Sequence, residues 1–163
     1  MEYRKVTGCA GAAYIECTSP RKDKWRVRWD IRECGNGAAE WMEADFGHRP
    51  GTEEIRAVVT AWRNAETEER IRSGFTWEGC PVWLSAENQM NYKAAHDLAV
   101  QTDGGTLPVT FKFGTDGEPV YHEFRSVGEL GDFYMKAMAF IQETLEEGWR
   151  RKDAFNPDDY RTE

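Results

Sequence analysis

Residues 24–33, Lys24-Trp25-Arg26-Val27-Arg28-Trp29-Asp30-Ile31-Arg32-Glu33, alternate strictly between apolar and charged side chains. Successive side chains of a strand point to opposite faces, so this stretch predicts a strand with one apolar face and one charged face. Cys34-Gly-Asn-Gly37 follows, and residues 39–46 alternate again, with Met42, Ala44 and Phe46 on one side and Trp41, Glu43 and Asp45 on the other. Glycine and asparagine tolerate the positive φ of a tight turn, so the two runs read as an antiparallel hairpin. Arg26 and Arg28 are expected to face Glu43 and Asp45 across the ladder, as exposed pairs contributing about 0.2 to 1 kcal/mol each. Further strands are expected at residues 12–17 and, on a weaker pattern, at 3–7.

Beyond the hairpin, Thr52 is placed to cap a helix that runs to about Arg72, with Glu53 and Glu54 near its positive end and Gly74 as its stop. Ile55, Val58, Val59, Trp62 and Ala65 give it an apolar stripe. Residues 75–84 read as a short hairpin turning at Glu78-Gly79, and Pro81 implies an edge strand. Ser85 is an N-cap for a helix over 86–101, with Met90, Ala94, Leu98 and Ala99 as its buried stripe. A third hairpin pairs residues 107–113 with 119–124 around Thr115-Asp-Gly117. The capping box Ser126-Val-Gly-Glu129 then opens a long core helix, on which residues from Val127 to Trp149 recur at helical spacing.

This succession predicts an α+β fold of antiparallel hairpins alternating with three amphipathic helices. The expected organisation is a sheet plus helix over residues 1–74, a hairpin-helix-hairpin-helix domain over 75–155, and a mobile tail over 156–163, where Pro157, Asp158 and Asp159 offer little to bury.

The chain has 163 residues, 40% hydrophobic and 31% charged, which suits one globular domain or two small ones. The net charge of −8 argues against a nucleic-acid binder, because duplex affinity is mostly phosphate neutralisation by Lys and Arg. That deficit lies wholly beyond Gly74: residues 1–74 carry 13 basic and 13 acidic side chains, residues 75–163 carry 8 and 16. No run approaches the length of a membrane-spanning helix and the N-terminus lacks a signal-peptide core, so no membrane contact and a cytoplasmic protein are expected. Cys9, Cys17, Cys34 and Cys80 show no Cys-x-x-Cys pair and read as reduced thiols. Nucleophile-elbow, Walker, His-Glu-x-x-His and calcium-loop patterns do not occur. His122 and Glu123 are neighbours on a strand and point to opposite faces, while Glu129 and Asp132 are first-turn acids. The reading is therefore a non-enzyme without cofactor or metal.

Seven tryptophans remain to be placed. Trp25, Trp29, Trp62 and Trp149 fall on apolar stripes, whereas Trp41 sits among acids and Trp83 projects opposite Phe75 and Val82; the pattern assigns Trp77 to neither group. Exposed Trp buries large area with little rotamer entropy, which suits a protein interface. A second reading is a small-ligand or glycan site, with Trp as stacking platforms and Asn88, Gln89 and Asn91 as hydrogen-bonding groups.

Residues 70–155 carry Gly74-Phe-Thr-Trp-Glu-Gly79, Val82-Trp-Leu-Ser85, Asn88-Gln-Met-Asn-Tyr92, Val109-Thr-Phe-Lys112 and Met135-Lys-Ala-Met138. In these the chain resembles a domain of unknown function found in phage tail-associated and prophage-encoded proteins. The resemblance implies a structural or protein-interaction module, made in the cytoplasm and then virion-associated, with phage tail components or a second copy as partner. It supplies no catalytic residue. Trp41, Trp83, Asn88 and Tyr92 are the candidate interaction residues.

Overall fold

The computed structural model describes residues 2–161. The chain forms two compact units, residues 1–63 with 152–163 and residues 64–151. The seam expected at Gly74 falls instead within a helix, between Arg63 and Asn64.

In the first unit, β1 (Tyr3–Cys9), β2 (Ile15–Ser19), β3 (Lys24–Gly35) and β4 (Ala38–Phe46) form one antiparallel sheet in the order β1-β4-β3-β2. The β3–β4 turn places Asn36 and Gly37 at φ 52° and 73°, the conformation that the Asn-Gly pair favours. Arg26 lies opposite Asp45 and Arg28 opposite Glu43. The register shifts twice: beside the turn, between Glu33/Ala39 and Gly35/Ala38, and within the ladder, where between the pairs Trp29/Met42 and Arg32/Glu40 two residues, Asp30 and Ile31, oppose Trp41 alone. The bulge at Asp30, whose φ is 55°, aims the Asp30 carboxylate at Arg63 and Arg32, each 2.8 Å away.

The apolar sheet face, with Val27, Trp29, Ala44 and Phe46, packs on Ile55, Val59 and Trp62 of α1 (Thr52–Ser73). Gly51 rather than Thr52 precedes the first turn; its N–H donates to the Glu54 carboxylate at 3.0 Å. Part of the tail expected to be mobile, residues 156–160, packs on the first unit. Asn156 caps a 3-10 turn at Pro157–Tyr160, and Tyr160 is buried, its hydroxyl donating to the Arg28 carbonyl at 3.2 Å. Phe155 stacks on the Tyr160 ring, centroids 5.5 Å apart. These two aromatics supply the buried area that the surrounding Pro and Asp conceal in the sequence. Thr162 and Glu163 lie outside the described residues.

The second unit contains the hairpin β5 (Phe75–Trp77) and β6 (Cys80–Val82), α2 (Ala86–Gln101), the hairpin β7 (Val109–Gly114) and β8 (Pro119–Phe124), and most of α3 (Val127–Asp153). Each hairpin is a separate two-stranded sheet. The arrangement is α+β with antiparallel pairing, as the element order predicts. The core is aromatic: Trp77, Tyr92, Phe113 and Phe124 converge on Phe133 of α3, with ring centroids 5.0 to 5.3 Å from it. The α1 and α3 segments of this unit are tied by Arg70–Glu147 at 2.5 Å and Arg151–Glu66 at 3.4 Å.

Two expectations about burial fail here. Met90 and Leu98 are 71% and 50% exposed, so the Met90–Ala94–Leu98 stripe faces solvent while Tyr92 and Ala99 are buried. Helical spacing identifies a stripe, but an aromatic core selects the face that carries Tyr92. Trp149, placed in the core by the pattern, is 48% exposed near the end of α3.

Candidate functional site

A cleft of about 530 Å³ opens in the second unit where the two hairpins meet, walled by Pro81–Trp83 on one side and Lys112–Asp116 on the other, with Ser73 also lining it. Local rules place Trp83 there. Val82 and Leu84 point into the core, which turns the residue between them outward, 48% exposed. The backbone at this point is held from three directions. Leu84 N–H donates to the Arg72 carbonyl at 2.8 Å, Asn88 Nδ2 donates to the Trp83 carbonyl at 2.8 Å, and Gln89 Nε2 donates to the Leu84 carbonyl at 2.8 Å. Ser85 Oγ accepts from Asn88 N–H, closing the cap of α2. The indole itself has the Arg72 guanidinium 5.7 Å from its ring centre, within cation–π reach.

The opposite wall is the end of β7 and its turn. Phe113 points into the core and Lys112 outward into solvent. Among the described residues Lys112 has no carboxylate partner. Thr115 and Glu118 exchange backbone hydrogen bonds at 3.2 Å each, leaving Asp116 at the tip. The cleft therefore combines an apolar floor, one large exposed ring and a single unpaired cation within an acidic half of the chain.

Of the four candidate residues, only Trp83 lines this cleft. Asn88 is spent on capping the β6–α2 junction, and Gln89 likewise, which removes two of the three polar groups expected to serve a ligand. Tyr92 is buried against Phe111 and Phe133, and burial pushes its phenol up to about 12. Trp41 is buried too, at 7% exposure in the first unit. Its Nε1 donates to Glu43 at 3.0 Å, the Arg28 guanidinium lies 5.5 Å from its ring centre, and its ring edge covers Gly8. A tryptophan among acids looks exposed in sequence; here the acid is its hydrogen-bond partner. Sequence reasoning missed Lys112 and Ser73, whose only signal was their place beside turns that meet in space.

Glu43 is the centre of an ion network on that sheet face rather than half of an exposed pair. It is 3% exposed and takes Arg4 at 2.5 Å, with Arg26 and Arg28 at 3.4 Å. Burial pushes its carboxyl up, but the Trp41 N–H and the surrounding arginines outweigh this and hold it below the usual carboxylate range. Asp45 is held down chiefly by Arg26, 2.7 Å away, and also by Arg4.

His122 meets a carboxylate, though not its neighbour Glu123. Its Nε2 lies 3.0 Å from Glu129, whose second oxygen accepts from Arg125 N–H at 3.3 Å. The His122 contact and that N–H hold the Glu129 carboxyl below its ordinary range. The pair ties β8 to the first turn of α3 and lies outside the lining of the cleft. Among the described residues no group of His, Cys, Asp or Glu has the arrangement to hold a metal ion, and no helix is long and apolar enough to cross a membrane.

The family described as Domain of unknown function (DUF4376) matches residues 53–163, which takes in both hairpins of the cleft. No curated protein and no solved structure matches the chain.

Proposed function

We propose, from the premise that the chain belongs to the DUF4376 family of domains of unknown function, that it is a non-enzymatic protein-interaction module whose contact point is the Trp83 cleft. The observation that carries this reading is Trp83 itself, 48% exposed yet fixed at the backbone by Arg72, Asn88 and Gln89. A large ring held out to solvent on a braced chain segment loses little entropy when a partner covers it, which is the property of interface anchors. The likeness of residues 70–155 to phage tail-associated and prophage-encoded proteins supplies the setting: a tail component, or a protein of tail assembly, is the partner.

The glycan-binding reading is weaker because Asn88 and Gln89 are committed to backbone carbonyls. An enzymatic reading would need His122 and Glu129 to face a cavity, and the cleft is lined by other residues.

The test is capture on immobilised protein from lysates of induced lysogens and from disrupted virions, with wild type and Trp83→Ala in parallel. A defined tail protein held by wild type and released by Trp83→Ala is the expected result. A glycan array that saturates in a Trp83-dependent way, with no protein retained, overturns it.

A further inference from the structure

We infer that the free edge of β1 pairs with β1 of a second copy of the chain, antiparallel and about a two-fold axis at Val6. The inference concerns the first unit and stands apart from the Trp83 cleft.

The hydrogen-bond phase of the sheet shows what this edge offers. Ala10 N–H donates to the Gly37 carbonyl at 2.8 Å, one step beyond the pair Cys9/Ala38. Bonded and non-bonded pairs alternate along an antiparallel ladder, so Gly8/Ala39, Val6/Trp41 and Arg4/Glu43 are the bonded pairs. The far side of the sheet has the matching phase. Arg28 N–H donates to the Tyr14 carbonyl at 2.7 Å, which leaves Glu43, opposite Arg28, to bond with β1. Tyr3, Lys5, Thr7 and Cys9 therefore direct N–H and C=O away from β4. β1 is the last strand of its sheet, and these same four residues are exposed.

The two edges of the sheet differ. An open edge invites association, and chains commonly blunt it with short strands, bulges, proline or charge. β2 has such protection: five residues, a register shift between Cys17 and Ser19, and Pro20 directly after it. β1 runs for seven residues in unbroken register and contains no proline. Its charges are already neutralised. Lys5 lies 2.6 Å from Glu40, and Arg4 lies 2.5 Å from Glu43 and 3.1 Å from Asp45. Net charge does not oppose self-association either, since residues 1–74 carry 13 basic and 13 acidic side chains.

The sequence of β1 is complementary to itself, which selects a second copy as the occupant. Outward groups must meet outward groups, so odd-numbered residues face odd-numbered ones. With Val6 against the partner's Val6, Tyr3 faces the partner's Cys9 and Lys5 faces the partner's Thr7. The axis repeats both pairs, so all four outward positions of each copy are bonded. Arg4 then faces the partner's Gly8, which brings no side chain. A slip of the register in one direction opposes Lys5 to the partner's Lys5, and like charges directly opposite are destabilising. A slip in the other direction leaves Tyr3 without a partner. The contact is isologous and closed, and it joins two four-stranded sheets into one continuous sheet.

Sedimentation equilibrium of the full chain over a micromolar concentration series tests this, with backbone-amide hydrogen exchange at both ends of the series. Wild type should be a monomer–dimer mixture. The Lys5 and Thr7 N–H groups should exchange more slowly as concentration rises, while those of Arg4 and Val6 stay protected by β4 throughout. Thr7→Pro removes a donor that β4 does not use, so it should leave a folded monomer. Thr7→Lys places like charges across from the partner's Lys5 twice, once on each side of the axis, and should weaken the dimer about tenfold. Adding Lys5→Glu turns both contacts into opposite-charge pairs and should restore it. A wild type that stays monomeric overturns the inference, and so does Lys5 protection that ignores concentration. A dimer that survives Thr7→Pro is made by another surface and overturns it too. If Thr7→Pro does not fold, the charge variants decide, and failure of Lys5→Glu to rescue Thr7→Lys overturns the pairing.

Discussion

The indole of Trp41 lies across Gly8 on the neighbouring strand: a Cβ placed on Gly8 would stand 2.4 Å from Trp41 Cη2. Real Cβ atoms do not approach so closely, and the obstacle is a rigid ring, held by its hydrogen bond to Glu43. Gly8 has no positive φ, so its absence of a side chain matters for space alone. Gly8→Ala should therefore destabilise the chain by about 1 to 3 kcal/mol, the range for overpacking a filled site. Gly47→Ala, with nothing within 4 Å, should be neutral or slightly stabilising. Urea midpoints of the two variants decide this, and equal midpoints would mean that Trp41 is free to move.

The ion network around Glu43 makes stability depend on pH in one direction. Glu43 and Asp45 both have carboxyls held below their ordinary range in the folded chain. A group depressed by folding contributes stability above its unfolded pKa and loses that contribution as pH falls through the folded value. Urea midpoints should hold steady above about pH 5 and decline below about pH 4. The double variant Glu43→Gln/Asp45→Asn should be less stable at neutral pH and show a shallower acid slope. Glu129 is depressed as well and keeps the slope from vanishing. An unchanged slope in the double variant would remove these two carboxylates as its source.

Burial on α2 separates two residues two positions apart. Met90 is 71% exposed and Tyr92 3%. Met90→Ser and Leu98→Ser should each change stability by less than about 0.5 kcal/mol. Tyr92→Ala, which removes a ring packed 4.7 Å from Phe111 and 5.0 Å from Phe133, should cost about 3 to 5 kcal/mol. Thermal melts of the three variants check the order, and a large cost at Met90 would return the stripe to the interior.

These cases mark what local pattern carries and where it stops. The β3–β4 register was legible because alternation and an Asn-Gly turn act within a few residues, and Ser85 and Ser126 announced their helices because capping is local. The fate of Trp41 depended on Gly8, whose strand pairs with β4 from more than thirty residues away. α2 carries two possible apolar faces, and only packing against Phe133 chooses between them. Trp83 could be placed outward from the inward residues beside it, Val82 and Leu84. The cleft could not, because it forms where hairpins separated by α2 meet, and neither hairpin alone contains both its walls.

The C-terminal turn shows the same long-range origin and yields the sharpest contrast with a mobile tail. The Tyr160 hydroxyl reaches the Arg28 carbonyl, its ring meets Tyr14 edge-on at 5.6 Å, and burial raises the phenol above its ordinary range. Tyr160→Phe keeps the ring and removes one hydrogen bond, so it should cost about 0.5 to 1.5 kcal/mol. Tyr160→Ala opens a cavity beside Val27 and Trp29 and should cost about 3 to 5 kcal/mol. A phenol so buried should also resist ionisation, with tyrosinate absorbance from Tyr160 appearing only as the chain unfolds in alkali. If Tyr160→Ala matches wild type in urea and its absorbance titrates with the exposed tyrosines, the turn is not docked.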